Sequence, residues 1–253
     1  MNGLAGQVAL VTGAEVGIGK ATALALAREG ADVAVHYYAD EAGACDGATS
    51  IAALGRQSAV FQGDLTRSAD VARVVEGATA RFGRIDILVN NAGGLLGRQA
   101  LVDMTEAFYH AVLDVNVLTT FLCCRAVAPG MIARRHGAIV NLTSLAAHNG
   151  GGPGASIYAA AKAAVLTLTK AYAKELAPHG IRVNAVSPGL IGGTPFHNTF
   201  TSAEAFAAAI RTIPLGRAGE PDDVAKVIAF LAGDGAGFLA GETIEINGGM
   251  NMR

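Results

Sequence analysis

The sequence predicts an α/β protein built on a doubly wound parallel sheet. Three observations predict it. Short β-branched runs alternate with alanine-rich runs of helical length along the whole chain, which is the pattern of βαβ units. The strand candidates are almost continuously apolar, as parallel strands covered on both faces are. A glycine-rich turn, "TGAEVGIG" from Thr12 to Gly19, falls between the first strand candidate and the first helix candidate.

The elements follow in order. Strands are expected at Gln7–Thr12, Asp32–Tyr37, Ser58–Gln62, Ile85–Asn90, Ala138–Leu142, Arg182–Val186 and Glu242–Ile246. Helical stretches include Gly19–Glu29, Ala69–Arg81, Phe108–Arg134, Ser156–Ala177 and Asp222–Leu231. No linker-like, charge-rich or repetitive segment divides the 253 residues, so one domain over 1–253 is expected. Right-handed crossovers place helices on both faces of the sheet. A ligand then lies beyond the carboxyl ends of the strands, and the residues just after each strand carry the most information.

Composition narrows the function. With 51% hydrophobic and 16% charged residues the chain has the makings of a large ordered core. No uninterrupted apolar run reaches the roughly 18 residues of a membrane span, and Met1–Gly6 lacks the regions of a signal peptide. A cytoplasmic protein with no membrane partner is the expectation. A net charge of −2 gives no electrostatic reason to expect nucleic acid. Cys45, Cys123 and Cys124 are odd in number and lack metal-ligand spacing; reduced thiols and no metal are expected.

The strand ends suggest a nucleotide. Glycines in the first turn allow backbone amides to approach a pyrophosphate at a helix N-terminus. A turn that only packs the helix on the sheet is the alternative. Asp64, in "FQGDLT", could accept from an adenine amine or simply cap a turn. "NNAG", from Asn90 to Gly93, suits a ribose or an asparagine-rich turn. "SPG", from Ser187 to Gly189, would bend sharply near a nicotinamide.

The chemistry is suggested by Tyr158 and Lys162, spaced to share one helix face. A free tyrosine has a pKa of about 10; a nearby ammonium favours the phenolate and makes the group a usable acid or base. Ser144, after the fifth strand candidate, could donate to a substrate carbonyl. Taken alone, a tyrosine and lysine four apart usually mark an ordinary helix face, and Asn116 in "LDVNVLTTF" could equally kink a helix.

Together the motifs are specific. Thr-Gly-x-x-x-Gly-Ile-Gly, Asn-Asn-Ala-Gly, Asn116, Ser144, Tyr158-x-x-x-Lys162 and Ser-Pro-Gly occur in this order. The chain thereby resembles the short-chain dehydrogenase/reductase family in its standard-length form, from end to end. The resemblance implies a Rossmann-type three-layer sandwich with a seven-stranded parallel sheet, and hydride transfer between a nicotinamide cofactor and a carbonyl or alcohol. It implies Tyr158 as acid/base and Lys162 as the residue that lowers the tyrosine pKa and holds the nicotinamide ribose. It implies Ser144 as the polarising hydroxyl and Asn116 as the holder of a relay water. Cofactor contacts are implied for Gly13, Glu15, Gly17, Ile18, Gly19, Tyr37, Tyr38, Asp64, Leu65, Asn91, Ala92, Gly93, Pro188, Gly189, Ile191 and Thr194. The family's usual homotetramer or homodimer is also implied, through Phe108–Arg134 and Ser156–Ala177.

Cofactor choice turns on the second strand end. The position that often carries Asp in NAD-preferring members holds Tyr37, and His36 beside it could contact a phosphate. The reading leans to NADP(H) over NAD(H), with Glu15 as the main argument against. For the substrate, the segment around 190–215 is expected to form a lid, with Gly192 and Gly193 as hinges and Phe196, His197 and Phe200 toward the pocket. Gly151 could offer a backbone donor, and Arg98 could hold a carboxylate. "NNAGGLLGR", "GGGPGASIYAAAK" and "TPFH" are similar to reductases of keto-sugars and keto-uronates. The whole pattern is also similar to 3-oxoacyl-carrier-protein reductases, which would need a basic patch near the cleft from residues such as Arg125, Arg134 and Arg135. A cofactor-binding regulator without activity is the rival from another class.

Overall fold

The computed structural model describes residues 3–194, 199–200 and 202–252. Seven parallel strands form one sheet in the order β3-β2-β1-β4-β5-β6-β7. They are β1 Val8–Val11, β2 Asp32–Tyr37, β3 Ser58–Gln62, β4 Ile87–Asn90, β5 Gly137–Leu142, β6 Ile181–Pro188 and β7 Thr243–Ile246. The main helices are α1 Gly17–Arg28, α2 Glu41–Ala53, α3 Ser68–Phe82, α4 Glu106–Leu113, α5 Thr119–Arg134, the short α6 Ala146–Asn149, α7 Ser156–Leu176, α8 Ala203–Ile210 and α9 Pro221–Ala232.

Alternation along the strands sorts the core into two halves. In β1 and β2, Ala9, Val11, Val33, Val35 and Tyr37 join the layer of α1, α2 and α9 through Leu26, Ile51 and Ile228. Leu10 and Ala34 face the other way, toward Val74 of α3, Met131 of α5 and Ala173 of α7. The result is the expected Rossmann-type three-layer sandwich. Strand order reverses between β1 and β4, which opens a crevice beyond their carboxyl ends.

Two expectations need correction. The helix α2 stood outside the named helical stretches; Gly43 and Gly47 weaken its helical signal, and Asp40 starts it by accepting from Gly43 N–H at 2.9 Å. The stretch Phe108–Arg134 is not one α-helix either. A π turn at Asp114–Leu118 separates α4 from α5 and places Asn116 at its centre. Taken as one helical run, Glu106–Arg134 does have the length and mean hydropathy (1.6) of a membrane span. Here its buried side packs on α3, α7, β4 and β5.

The amino ends of the strands are closed by structural ion pairs. Asp86 is buried, accepts from Val8 N–H at 3.0 Å and pairs with Arg84 at 2.8 Å. The cleft lined by the glycine-rich turn opens at the opposite, carboxyl ends.

Candidate active site

The cleft lies beyond the carboxyl ends of β1, β4, β5 and β6 and has a volume of about 710 Å³. Its nucleotide half begins with Thr12. The Thr12 hydroxyl donates to Val89 O at 3.1 Å and accepts from the N–H groups of Asn91 and Ala92, each at 3.0 Å. Asn91 returns two bonds from its amide, to Thr12 O at 2.9 Å and Gly13 O at 2.8 Å. These bonds tie the turn after β1 to the turn after β4. Within that turn, a Cβ at Gly19 would lie 2.0 Å from Gly13 O, so only glycine closes it. Helix α1 runs for 12 residues from Gly17 and directs its first-turn N–H groups at the cleft. A glycine-walled turn at a helix N-terminus fits the pyrophosphate of a dinucleotide.

Of the residues expected at the cofactor, Gly13, Glu15, Gly17, Ile18, Gly19, Tyr38, Asn91, Ala92, Gly93, Pro188, Gly189, Ile191 and Thr194 line this cleft. Tyr37, Asp64 and Leu65 do not line it. Tyr37 belongs to the core layer of Val33 and Val35, and its hydroxyl meets Glu41 of α2. The second strand end therefore presents His36 and Tyr38, not Tyr37, to the cleft. Asp64 Oδ1 is engaged by Thr66 N–H and hydroxyl at 3.0 and 2.7 Å, which is the turn-capping alternative. Leu65 is buried against Val71 and Val74.

His36 is a bridge. Its Nδ1 accepts from Gly13 N–H at 3.1 Å, and its Nε2 meets Gly63 O at 3.1 Å as a donor. Burial pushes its pKa down to about 4. A neutral imidazole with both nitrogens on backbone is not a cation for a phosphate.

The catalytic candidates converge at the ends of β5 and α7. Ser144, Tyr158 and Lys162 all line the cleft. A hydrogen bond from Ser144 to the Tyr158 phenol favours the phenolate, while burial acts more strongly and raises the tyrosine pKa above its ordinary value. Lys162 is buried, and burial lowers its pKa to about 8. Its Nζ donates to Leu142 O at 3.0 Å and lies 5.8 Å from the Tyr158 ring centre. Asn116 sits behind this group, fully buried. Its amide donates to Gly94 O and Val112 O at 2.8 Å each, and its Oδ1 accepts from Gly94 N–H at 3.2 Å. Gly93 is the contact point: a Cβ there would stand 2.6 Å from Asn116 Oδ1 and 3.2 Å from Lys162 Nζ.

The substrate half is looser. Arg98 lines the rim, but its guanidinium donates to Pro153 O at 2.9 Å and Phe200 O at 3.4 Å. It joins its own loop to the segments at Pro153 and Phe200 instead of standing free. Gly151 also lines the cleft, with its N–H engaged by Asn149 Oδ1 at 2.9 Å. Phe196 and His197 lie outside the described residues. Apolar residues that the sequence reading passed over, Leu95, Leu145, Ala155, Leu190 and Met250, complete the wall; loop leucines carry no signal that marks them as pocket residues. The arginines considered for a carrier-protein patch do not gather here. Arg134 and Arg135 bond Ile85 O and Pro178 O, beside the amino ends of β4 and β6 and away from the cleft.

Comparison with known proteins agrees with this geometry. Residues 13–251 match the family described as enoyl-(acyl carrier protein) reductase. A 3-oxoacyl-[acyl-carrier-protein] reductase from Synechocystis is 42% identical over 253 residues, covering all of both chains. Among solved structures, the NADH-dependent reductase A1-R′ responsible for alginate metabolism aligns with a TM-score of 0.91 at 33% identity, covering 100% of each chain. A short-chain type dehydrogenase/reductase from Mycobacterium marinum aligns at 0.90 and 36% identity, covering 100% of this chain and 98% of its own. The chain belongs to the short-chain dehydrogenase/reductase family, oxidoreductases of carbonyl and CH–OH groups that use a nicotinamide cofactor.

Proposed function

We propose that this enzyme reduces the carbonyl of a 3-oxoacyl thioester to a secondary alcohol, with Tyr158, Ser144 and Lys162 as its catalytic residues. The observation that carries the reading is the Ser144–Tyr158 hydrogen bond beside Lys162, in the same cleft as the glycine-walled turn. A reduced nicotinamide, which the glycine-walled turn and Lys162 would hold, would supply the hydride for the carbonyl carbon. Tyr158 hands its phenol proton to the developing alkoxide; its raised pKa keeps that proton in place until the oxyanion forms. Ser144 Oγ accepts from Ala146 N–H at 3.1 Å, which leaves its own proton to point at the phenol and the carbonyl oxygen. The Lys162 ammonium stabilises the phenolate left behind. Asn116 is a positioning residue, holding Gly93–Gly94 against Lys162 through backbone bonds.

Two observations support the acyl substrate. Full-length relatives at 41 to 42% identity act on 3-oxoacyl groups, and the wall beyond Ser144 is apolar. With Arg134 and Arg135 directed away from the cleft, the thioester and its chain, more than a carrier protein, are the parts recognised. The keto-uronate or keto-sugar reading stands second, on the likeness to the alginate-metabolism reductase and on Arg98 at the rim. An inactive regulator would have no use for three catalytic side chains assembled in one cleft.

The NADP(H) preference suggested by the sequence rested on the lack of an acid at the second strand end, where Tyr37 stands. With Tyr37 in the core and Glu15 in the cleft, we favour NAD(H). The family's homotetramer or homodimer, a cytoplasmic setting, and the 190–215 segment acting as a lid on one domain belong to the same proposal.

The test is nicotinamide oxidation by purified protein, with NADH and NADPH run separately against a 3-oxoacyl thioester, a 3-oxoacyl carrier protein and a keto-uronate. Turnover on the free thioester is expected to exceed that on the keto-uronate at least tenfold. The reverse ranking would replace the acyl reading by the sugar-acid one. Loss of all turnover with binding intact would favour the regulator.

A further inference from the structure

Glu15 stands where the turn after β1 meets the end of β2. Its Oε1 accepts from Tyr38 N–H, the first residue beyond β2, across a long 3.4 Å. Its Oε2 is buried and has no hydrogen-bond donor among the described residues. The side chain lines the nucleotide half of the cleft. A carboxylate in this state needs donors, and a second anion beside it is repelled.

The charges around it have the same sign. Asp40, Glu41 and Asp46 sit on the adjoining start and first turns of α2, with Asp40 capping that helix. The helix start packs directly on the Glu15 carbonyl: a Cβ at Gly43 would stand 2.7 Å from Glu15 O. The nearby lysine, Lys20, is paired with Asp46 at 2.5 Å. His36 is bonded to backbone through both ring nitrogens. Lys20 and His36, the basic groups beside this turn, are therefore already engaged.

We infer that Glu15, reaching from the glycine-rich turn, accepts from the adenosine ribose hydroxyls and excludes a 2′-phosphate, so that the enzyme selects NAD(H). The acid that reads a ribose usually stands at the second strand end; here that end holds Tyr37, turned into the core, and the carboxylate arrives from the other side of the crevice. This rests on the nicotinamide reading of the cleft and deepens it by naming the selecting residue.

Isothermal titration of the full-length protein with NADH, NADPH, 5′-ADP and 2′,5′-ADP, with no substrate present, tests it. The wild type is expected to bind NADH at least tenfold more tightly than NADPH, and 5′-ADP more tightly than 2′,5′-ADP. Glu15→Gln keeps the shape and removes the charge; it should narrow the NADH/NADPH ratio at least fivefold, mainly by tightening NADPH. Equal binding of the two dinucleotides by the wild type, or tighter NADPH, would overturn the assignment while leaving the nicotinamide reading intact. So would an unchanged ratio in a folded Glu15→Gln. Absence of binding by every nucleotide would overturn the reading beneath it as well. The wild-type ratio decides the matter even if the variant does not fold.

Discussion

Around Thr12 and Asn91, the nucleotide half of the cleft is joined by hydrogen bonds that span 77 to 80 residues of sequence. In the substrate half, Ser144 accepts from Ala146 N–H and Gly151 donates to Asn149 Oδ1, partners two residues away, and Ser144 also bonds Tyr158. Longer bonds there are fewer: Arg98 spans 55 and 102 residues, Gln99 N–H reaches Gly154 O, and Leu145 N–H reaches Pro188 O. The difference teaches how one sheet serves many substrates. The half that holds an invariant cofactor is fixed by strand ends and cannot change without disturbing the sheet. The half proposed to meet the substrate combines locally closed loops with a few long bonds at its rim, and can be reshaped at less cost to the fold.

That contrast can be broken at several points. Among changes around the catalytic tyrosine, Lys162→Met should cost most, about 10²–10³-fold in turnover by analogy with removal of a general acid–base partner, measured as kcat for thioester reduction. Gly93→Ala follows. Its methyl group would push Asn116 and Lys162 apart, with a loss of roughly tenfold or more in kcat. Calorimetry should show a smaller effect on stability than on rate; equal effects would mean that the strand end, not the catalytic group, is what Gly93 protects.

The rigid half should show its character in pH-dependent stability. His36 has a folded pKa of about 4 against an ordinary 6.5. The unfolded chain therefore takes up a proton between these values while the folded one does not. The His36 contribution is complete above pH 6.5 and is lost as pH falls toward 4, by up to roughly 3 kcal/mol. Urea unfolding of His36→Asn should show a shallower decline over that window than the wild type. A parallel decline would mean the imidazole is not locked neutral. The smallest effect is expected from Arg98→Ala: a rise in KM of a few-fold with kcat nearly unchanged, since Arg98 holds loops together and does not touch the reacting atoms.

Much of this was legible in the sequence, and the gaps have physical reasons. Apolar runs and glycine turns locate the strands because they obey local rules: β2 and β3 coincide with the expected spans, and β1 with Gln7–Thr12 shortened at both ends. The misplacement of Tyr37 was a matter of facing. Residues of a strand alternate sides, and Val33, Val35 and Tyr37 fall on the side of α1 and α2; the apolar neighbours alone could have signalled it. The break at Asn116 was open in the sequence only as a kink, without its π form, and the two hydrogen bonds of His36 had no such signal; both depend on partners, Gly94, Gly13 and Gly63, supplied by other parts of the chain. The bracing role of Arg98 was hidden for the same reason: nothing in "GGLLGRQ" shows that the carbonyls of Pro153 and Phe200 will take two of its donors.

The central claim is that Tyr158 delivers the proton in a cleft whose nucleotide half is independent of it. It is tested most directly by Tyr158→Phe, with dinucleotide binding and thioester reduction measured on the same preparation. The account predicts NADH affinity within about twofold of wild type and a loss of turnover on the order of 10²–10⁴-fold. Turnover retained within tenfold, with binding unchanged, would contradict it and remove Tyr158 from the reaction.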